Sequence, residues 1–331
     1  LHTAYRRQRQ MCIRDRNWIT TEVQNAKGYV EVSYHPEGIR RVPRLRLLPV
    51  STPKINYNLN SVDVLLVTGG GKGIAAESAL SLAKETGVRL ALIGRSLPET
   101  DTELAQNLAR MQQAGVEVTY LSADVTQTEA LQNAISEIET KLGLITAILH
   151  GAGINTPKLI QALDKKDFIC TLAPKVEGLK NLLSLINPEA LKYLITFGSI
   201  IAETGLAGEA DYALANEWLG RLVGQFQADY PHCRCLNLEW SVWSGVGMGE
   251  RLGRIDTLIH QGITPIPPDL GMQILQQLMA QSLPTTSVIV AGRFGNPPTL
   301  KLPQPELPFL RFLENPKVYY AGIELVVEAE L

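Results

Sequence analysis

The chain is sparing in the residues that mark several function classes. Of its 331 residues only four are cysteine: Cys12, Cys170, Cys233 and Cys235. They form no CxxC pair and no ligand spacing with the five histidines, so no metal site is expected, and a reducing, cytoplasmic setting fits them. No apolar run approaches the roughly 18–20 residues a bilayer span needs, and no small-residue cleavage site follows an apolar stretch at the amino end. Neither a membrane nor a secretory leader is expected. Aromatic residues make up 6% and charged residues 19%, with a formal net charge of −2. That near-neutrality hides an asymmetry: residues 1–46 carry ten Lys/Arg against four Asp/Glu, while the remainder carries 21 against 29. The basic head lacks the aromatic interleaving of nucleic-acid modules, and an acidic body repels a phosphate backbone, so no nucleic-acid partner is expected.

What is abundant is apolar surface in short runs. Stretches at 63–67, 88–93, 116–121, 145–149, 191–197, 234–238 and 287–290 read as strands, being β-branched and bounded by Gly, Asn and Asp. Helical patterns separate them at 74–85, 99–113, 128–142, 165–186 and 210–230. Such alternation predicts an α/β fold: a doubly wound parallel sheet of Rossmann type, covered on both faces. The expected domain spans 61–296. Before it, 17–60 reads as a small strand-rich subdomain remnant, with alternation at 29–34, a turn at 35–38 and a polar linker at 49–60. Residues 297–331 read as a proline-rich linker and the start of a following unit. Five Arg against one Asp crowd residues 1–16, which resemble translated adapter sequence and are set aside as artefactual or disordered.

The first strand runs into TGGGKGIA at 68–75 and a helix. Glycines there let backbone approach a pyrophosphate seated on the helix amino end. Strict GxGxxG spacing is not met; the pattern is TGxxxGxG with Ala75 at the last glycine. Thr68, Gly69, Gly71, Lys72, Gly73 and Ile74 are the candidate phosphate-loop residues. The second strand ends at Arg95 and Ser96 instead of an acid, which favours a 2′-phosphate and hence NADPH over NADH. Lys72 is placed to assist. Asp124, with Val125, follows the third strand and either caps a turn or reaches an adenine. Gly151, Ala152 and Gly153 give a second backbone approach after the fourth strand, and His150 reads as a packed residue.

Reducing a ketone needs a proton donor and groups that stabilise an alkoxide. Tyr212 follows Ser199 by thirteen residues, Asn216 shares a helix face with Tyr212, and Lys175 on the preceding helical segment supplies a cation that makes a phenol a better acid. The TGxxxG loop with this Ser/Tyr spacing resembles the short-chain dehydrogenase/reductase superfamily. Most members carry Lys four residues after the Tyr and an Asn earlier; here Asn216 and Lys175 exchange those positions, which resembles the ketoreductase domains of polyketide and fatty-acid synthases. The resemblance implies Tyr212 as proton donor, Ser199 on the carbonyl, Lys175 acting on Tyr212 and Asn216 in the proton relay. It also implies a lid after the sixth strand, where Trp243 and Met248 flank the substrate; Trp240 reads equally as core. Stretches 67–74, 198–212 and 240–249 look like iterative enediyne-type synthases and their polyunsaturated fatty-acid-type relatives.

The implied activity is NADPH-dependent reduction of a β-ketoacyl thioester on the phosphopantetheine arm of an acyl carrier domain. The implied neighbours are ketosynthase, acyltransferase and dehydratase domains. Two alternatives are a free-standing reductase of a small ketone and a non-catalytic cofactor-binding scaffold.

Overall fold

In the computed structural model, residues 2–48, 57–251, 253, 255–295, 297, 299–300, 316–320 and 324–327 are described. They fall into two compact units, one of Leu1–Leu47 with Asn296–Arg311, the other of Leu48–Gly295 with Phe312–Leu331.

The first unit holds helix α1 (His2–Asn25) and a hairpin of β1 (Ser33–Tyr34) and β2 (Arg40–Arg41). The segment set aside as artefactual or disordered, 1–16, thus lies largely within a helix, in keeping with its run of Arg, Gln and Met, all good helix formers. The hairpin is shorter than the alternation at 29–34 predicts. Its turn closes with Gly38 donating to the His35 carbonyl at 2.8 Å. Glu22 ties helix to hairpin, accepting from Arg40 Nε at 2.6 Å and from the Tyr34 hydroxyl at 2.6 Å. Trp18 stacks on Tyr34 with centroids 4.4 Å apart.

The second unit is built on seven parallel strands: β3 (Val64–Thr68), β4 (Arg89–Gly94), β5 (Val118–Ser122), β6 (Ile145–His150), β7 (Tyr193–Ser199), β8 (Arg234–Trp240) and β9 (Ser287–Val290). Their spatial order is β5-β4-β3-β6-β7-β8-β9. The connecting helices are α2 (Gly73–Thr86), α3 (Thr102–Gln113), α4 (Thr128–Leu142), α5 (Lys165–Leu185), α6 (Ile201–Thr204), α7 (Ala210–Asp229), α8 (Met248–Arg251), α9 (Ile255–His260) and α10 (Pro268–Ala280). Alternation along each strand divides the core into two layers. Leu65, Val67, Leu90 and Leu92 face one way, against α2 and α10 through Ala76, Ala79, Leu82, Leu275 and Met279. Val64, Leu66, Ala91 and Ile93 face the other way, against α4, α5 and α7 through Ile138, Leu179, Leu182, Leu219 and Val223. The doubly wound parallel sheet predicted from the apolar runs is the one observed.

Strand order reverses between β3 and β6, and the carboxyl ends of those strands open a crevice there. A further strand pair, β10 (Pro316–Tyr320) and β11 (Glu324–Val327), is antiparallel. The linker at 49–60 lies outside the described residues except for 57–60, as does much of 297–331. No described helix is long and apolar enough to cross a membrane. Among the described residues no cluster of His, Cys, Asp and Glu could hold a metal ion.

Candidate active site

A cavity of about 660 Å³ occupies the crevice. The glycine loop after β3 forms one wall. Gly69 has φ +65°, and a Cβ on it would lie 3.0 Å from the Gly151 carbonyl and the Ala152 nitrogen. Both obstacles are backbone, so only glycine lets the two loops meet. A Cβ on Gly71 would lie 2.3 Å from Leu104 Cδ1, the side chain seated beneath the loop. Gly151 donates to the Thr68 carbonyl at 3.0 Å, joining the ends of β3 and β6. Thr68 does not line the cavity. Its hydroxyl bonds His150 Nδ1 at 2.8 Å, and His150 Nε2 reaches the Lys175 carbonyl at 3.1 Å. Burial pushes the His150 imidazole down to about 3, so it stays neutral and works as a brace.

Gly69, Gly71, Lys72, Gly73, Ile74, Arg95, Ser96, Asp124, Val125, Gly151, Ala152 and Gly153 all line the cavity, which brings residues from three further strand ends together with the loop. Arg95 is exposed. Lys72 stands beside Ser96: its ammonium donates to Ser96 Oγ at 3.1 Å and to Asp101 at 2.5 Å. That bond, before the Leu104 N–H, keeps Asp101 down at about 2. Asp124 takes the turn-capping role, accepting from the Thr126 N–H at 2.9 Å and hydroxyl at 2.8 Å, while still facing the cavity. The fit to a dinucleotide is good: closely approached backbone, a helix amino end and cationic Arg95 converge on one crevice.

The other wall carries the side chains predicted to be catalytic. Lys175 comes from α5, Ser199 from the end of β7, and Tyr212 from the first turn of α7; all three line the cavity. Lys175 is 2% exposed and donates to the Phe197 carbonyl at 2.7 Å. Gly153 leaves room for it, since a Cβ there would sit 3.1 Å from Lys175 Cε. Its ammonium lies 5.7 Å from the Tyr212 ring centroid. Burial lowers Lys175 to about 8. Burial likewise raises Tyr212 to about 12, with Asn216 lowering it and buried Glu209 raising it. Asn216 is fully buried behind the cavity, where its Nδ2 donates to the Tyr212 carbonyl at 2.7 Å and its Oδ1 has no hydrogen-bond partner. Ser199 Oγ accepts from the Ile201 N–H at 3.3 Å.

Met248 lines the cavity from α8. Trp243 also borders it, yet is 3% exposed and packs edge-on to Trp240 with centroids 4.9 Å apart. It is as much a core residue as Trp240. Sequence reasoning missed Glu209, Tyr120, Phe197, Leu206 and Arg251 as lining residues. Glu209 stands three residues before Tyr212, and that local spacing was the available signal.

Residues 64–245 match the family described as KR domain. The chain belongs to that family, the ketoreductase domains of polyketide synthases within the short-chain dehydrogenase/reductase superfamily. Polyketide synthase PksN of Bacillus subtilis (strain 168) is 30% identical over 253 residues, which are 74% of this chain and 5% of that protein. A ketoreductase domain from the bacillaene assembly line is 26% identical, with a TM-score of 0.66, covering 78% of this chain and 62% of that one. An N-terminal ketoreductase from the macrolactin assembly line is 27% identical, with a TM-score of 0.63, covering 77% and 48%. The ketoreductase thus spans a small fraction of the synthase and about half of the solved chains it resembles. As a KR domain it is an oxidoreductase.

Proposed function

We propose that this ketoreductase carries out NADPH-dependent reduction of a β-ketoacyl thioester to the β-hydroxyacyl thioester. The substrate is held on the phosphopantetheine arm of an acyl carrier domain, within a cytoplasmic multifunctional synthase bearing ketosynthase, acyltransferase and dehydratase domains. The observation that carries this reading is the convergence of Lys175, Ser199 and Tyr212, from three separate elements, on the cavity that the glycine loop also lines. NADPH supplies the hydride when bound, with Gly69, Gly71, Gly73 and the Gly151–Gly153 backbone toward its phosphates and Arg95 toward the 2′-phosphate. The motifs at 67–74, 198–212 and 240–249 favour an iterative, enediyne-type or polyunsaturated fatty-acid-type synthase.

The chain's own contribution is proton supply and orientation. Ser199 donates to the substrate carbonyl oxygen and fixes its position. Tyr212 gives its phenolic proton to the developing alkoxide. Burial alone opposes both a phenolate and an ammonium, but a phenolate formed beside the Lys175 ammonium is stabilised by that charge in a medium that screens poorly. Phe197 holds the ammonium in place through its carbonyl, and Asn216 fixes the Tyr212 backbone.

The test is NADPH oxidation followed by absorbance with an acetoacetyl thioester. Turnover is expected, with Tyr212→Phe slower by on the order of a hundredfold or more and NADPH affinity unchanged. Equal activity in Tyr212→Phe refutes the mechanism. Cofactor binding without turnover in the unaltered chain identifies a scaffold instead.

A further inference from the structure

Beside the glycine loop, one carboxylate stands where an anionic ligand belongs. Glu103, in the first turn of α3, accepts from the Gly73 N–H at 3.1 Å through Oε1. Gly73 opens α2, so that N–H points from a helix amino end, which favours negative charge. The same Glu103 oxygen accepts from Arg251 Nη2 at 3.0 Å, and Oε2 accepts from it at 3.1 Å. Arg251 ends α8, in the segment after β8, and lines the cavity. This segment lies directly on the loop: a Cβ on Gly73 would be 3.4 Å from Gly247 Cα and 3.5 Å from Arg251 Nη2. One carboxylate oxygen is therefore shared between a loop N–H and a cation brought in from 148 residues away.

We propose that Arg251 is an exchangeable ligand for the cofactor's pyrophosphate, which displaces Glu103 from the Gly73 N–H and takes over its guanidinium partner. The inference rests on the dinucleotide reading given above. Its physical basis is competition for shared donors. A pyrophosphate brings two negative charges to the helix amino end, and Glu103 cannot stay beside it without like-charge repulsion. The Glu103–Arg251 pair is half-exposed on both sides, so it is weak and yields readily. Arg251 is already in the cavity wall and matches a phosphate with its planar fork. Cofactor arrival thereby holds the segment bearing Met248 and Arg251 over the site.

The experiment measures equilibrium affinity and release rate of NADPH and NADH, by ligand fluorescence, on the full chain and on Arg251→Gln, Arg251→Lys and Glu103→Gln. Both side chains are half-exposed, so the variants are expected to fold, and their thermal transitions check this. Arg251→Gln is expected to weaken both cofactors on the order of tenfold, with faster release, and Arg251→Lys to weaken them less. Glu103→Gln is expected to bind at least as tightly as the unaltered chain, because the competing charge is gone. Parallel weakening in Glu103→Gln and Arg251→Gln overturns the proposal, showing an ion pair that merely staples the segment. Unchanged affinity in Arg251→Gln, or a loss confined to NADPH, also overturns it. No binding of either cofactor by the unaltered chain sinks the dinucleotide reading itself.

Discussion

Replacing Lys175 with methionine should separate stability from catalysis. The side chain is 2% exposed, and its burial lowers the ammonium from its ordinary 10.5 to about 8. At neutral pH that difference corresponds to roughly 3 kcal/mol set against the folded state, since charging the buried amine is harder than charging it in the unfolded chain. Methionine fills similar space without charge. It removes the donor to the Phe197 carbonyl, which costs about 1–3 kcal/mol when the acceptor stays buried. The variant should therefore be as stable as the native chain, or up to ~2 kcal/mol more stable, while losing on the order of a hundredfold in reduction rate. A second signature lies in pH. Between about 8 and 10.5 the unfolded chain keeps the lysine proton and the folded chain has released it, so raising pH favours the folded native protein. Its stability should gain on Lys175→Met by about 1.4 kcal/mol per pH unit across that window, other groups cancelling in the difference. Urea denaturation of both proteins at pH 7, 8, 9 and 10 measures it. A flat difference, or a variant several kcal/mol less stable at pH 7, refutes the claim that burial of this ammonium is costly.

Other outcomes follow from the same geometry. The rate of reduction should fall as pH rises through about 8, where Lys175 loses its proton, and a pH–rate profile that stays level to pH 10 contradicts this role. Gly69→Ala forces a Cβ to within 3.0 Å of backbone at a φ of +65°, so it should lower stability by at least ~1–2 kcal/mol and impair NADPH binding, measured by thermal unfolding and fluorescence titration. Gly271→Ala places a Cβ 2.2 Å from Trp243 Cη2 and should cost about 1–3 kcal/mol, with partial rescue by Trp243→Phe in the double variant. Arg95→Ala should bring the NADPH and NADH Michaelis constants together, and an unchanged preference shows that the guanidinium does not read the 2′-phosphate.

What the sequence determined by itself is whatever rests on local periodicity and spacing. Apolar runs of five or six residues alternating with helical patterns specify a parallel sheet covered on both faces, because only that arrangement buries both sides of every strand. TGGGKG between a buried strand and a helix specifies a tight glycine turn at the helix amino end, and Tyr212 with Asn216 one turn apart specifies a shared helix region. The strand ends were less legible. Both β7 and β8 run two residues beyond their apolar stretches, to Ser199 and Trp240, because Gly198 pairs with Glu239 and Ser199 with Trp240 across the ladder. Tertiary structure alone decided the rest. It tied Lys72 to Asp101 and Ser96, wedged Trp243 against Gly271, and buried Lys175 against the Phe197 carbonyl. It also brought Arg251 to Glu103 from 148 residues away. Such pairings follow from which strand ends the sheet order places side by side, and charge partners chosen across that distance leave no periodic trace in the chain.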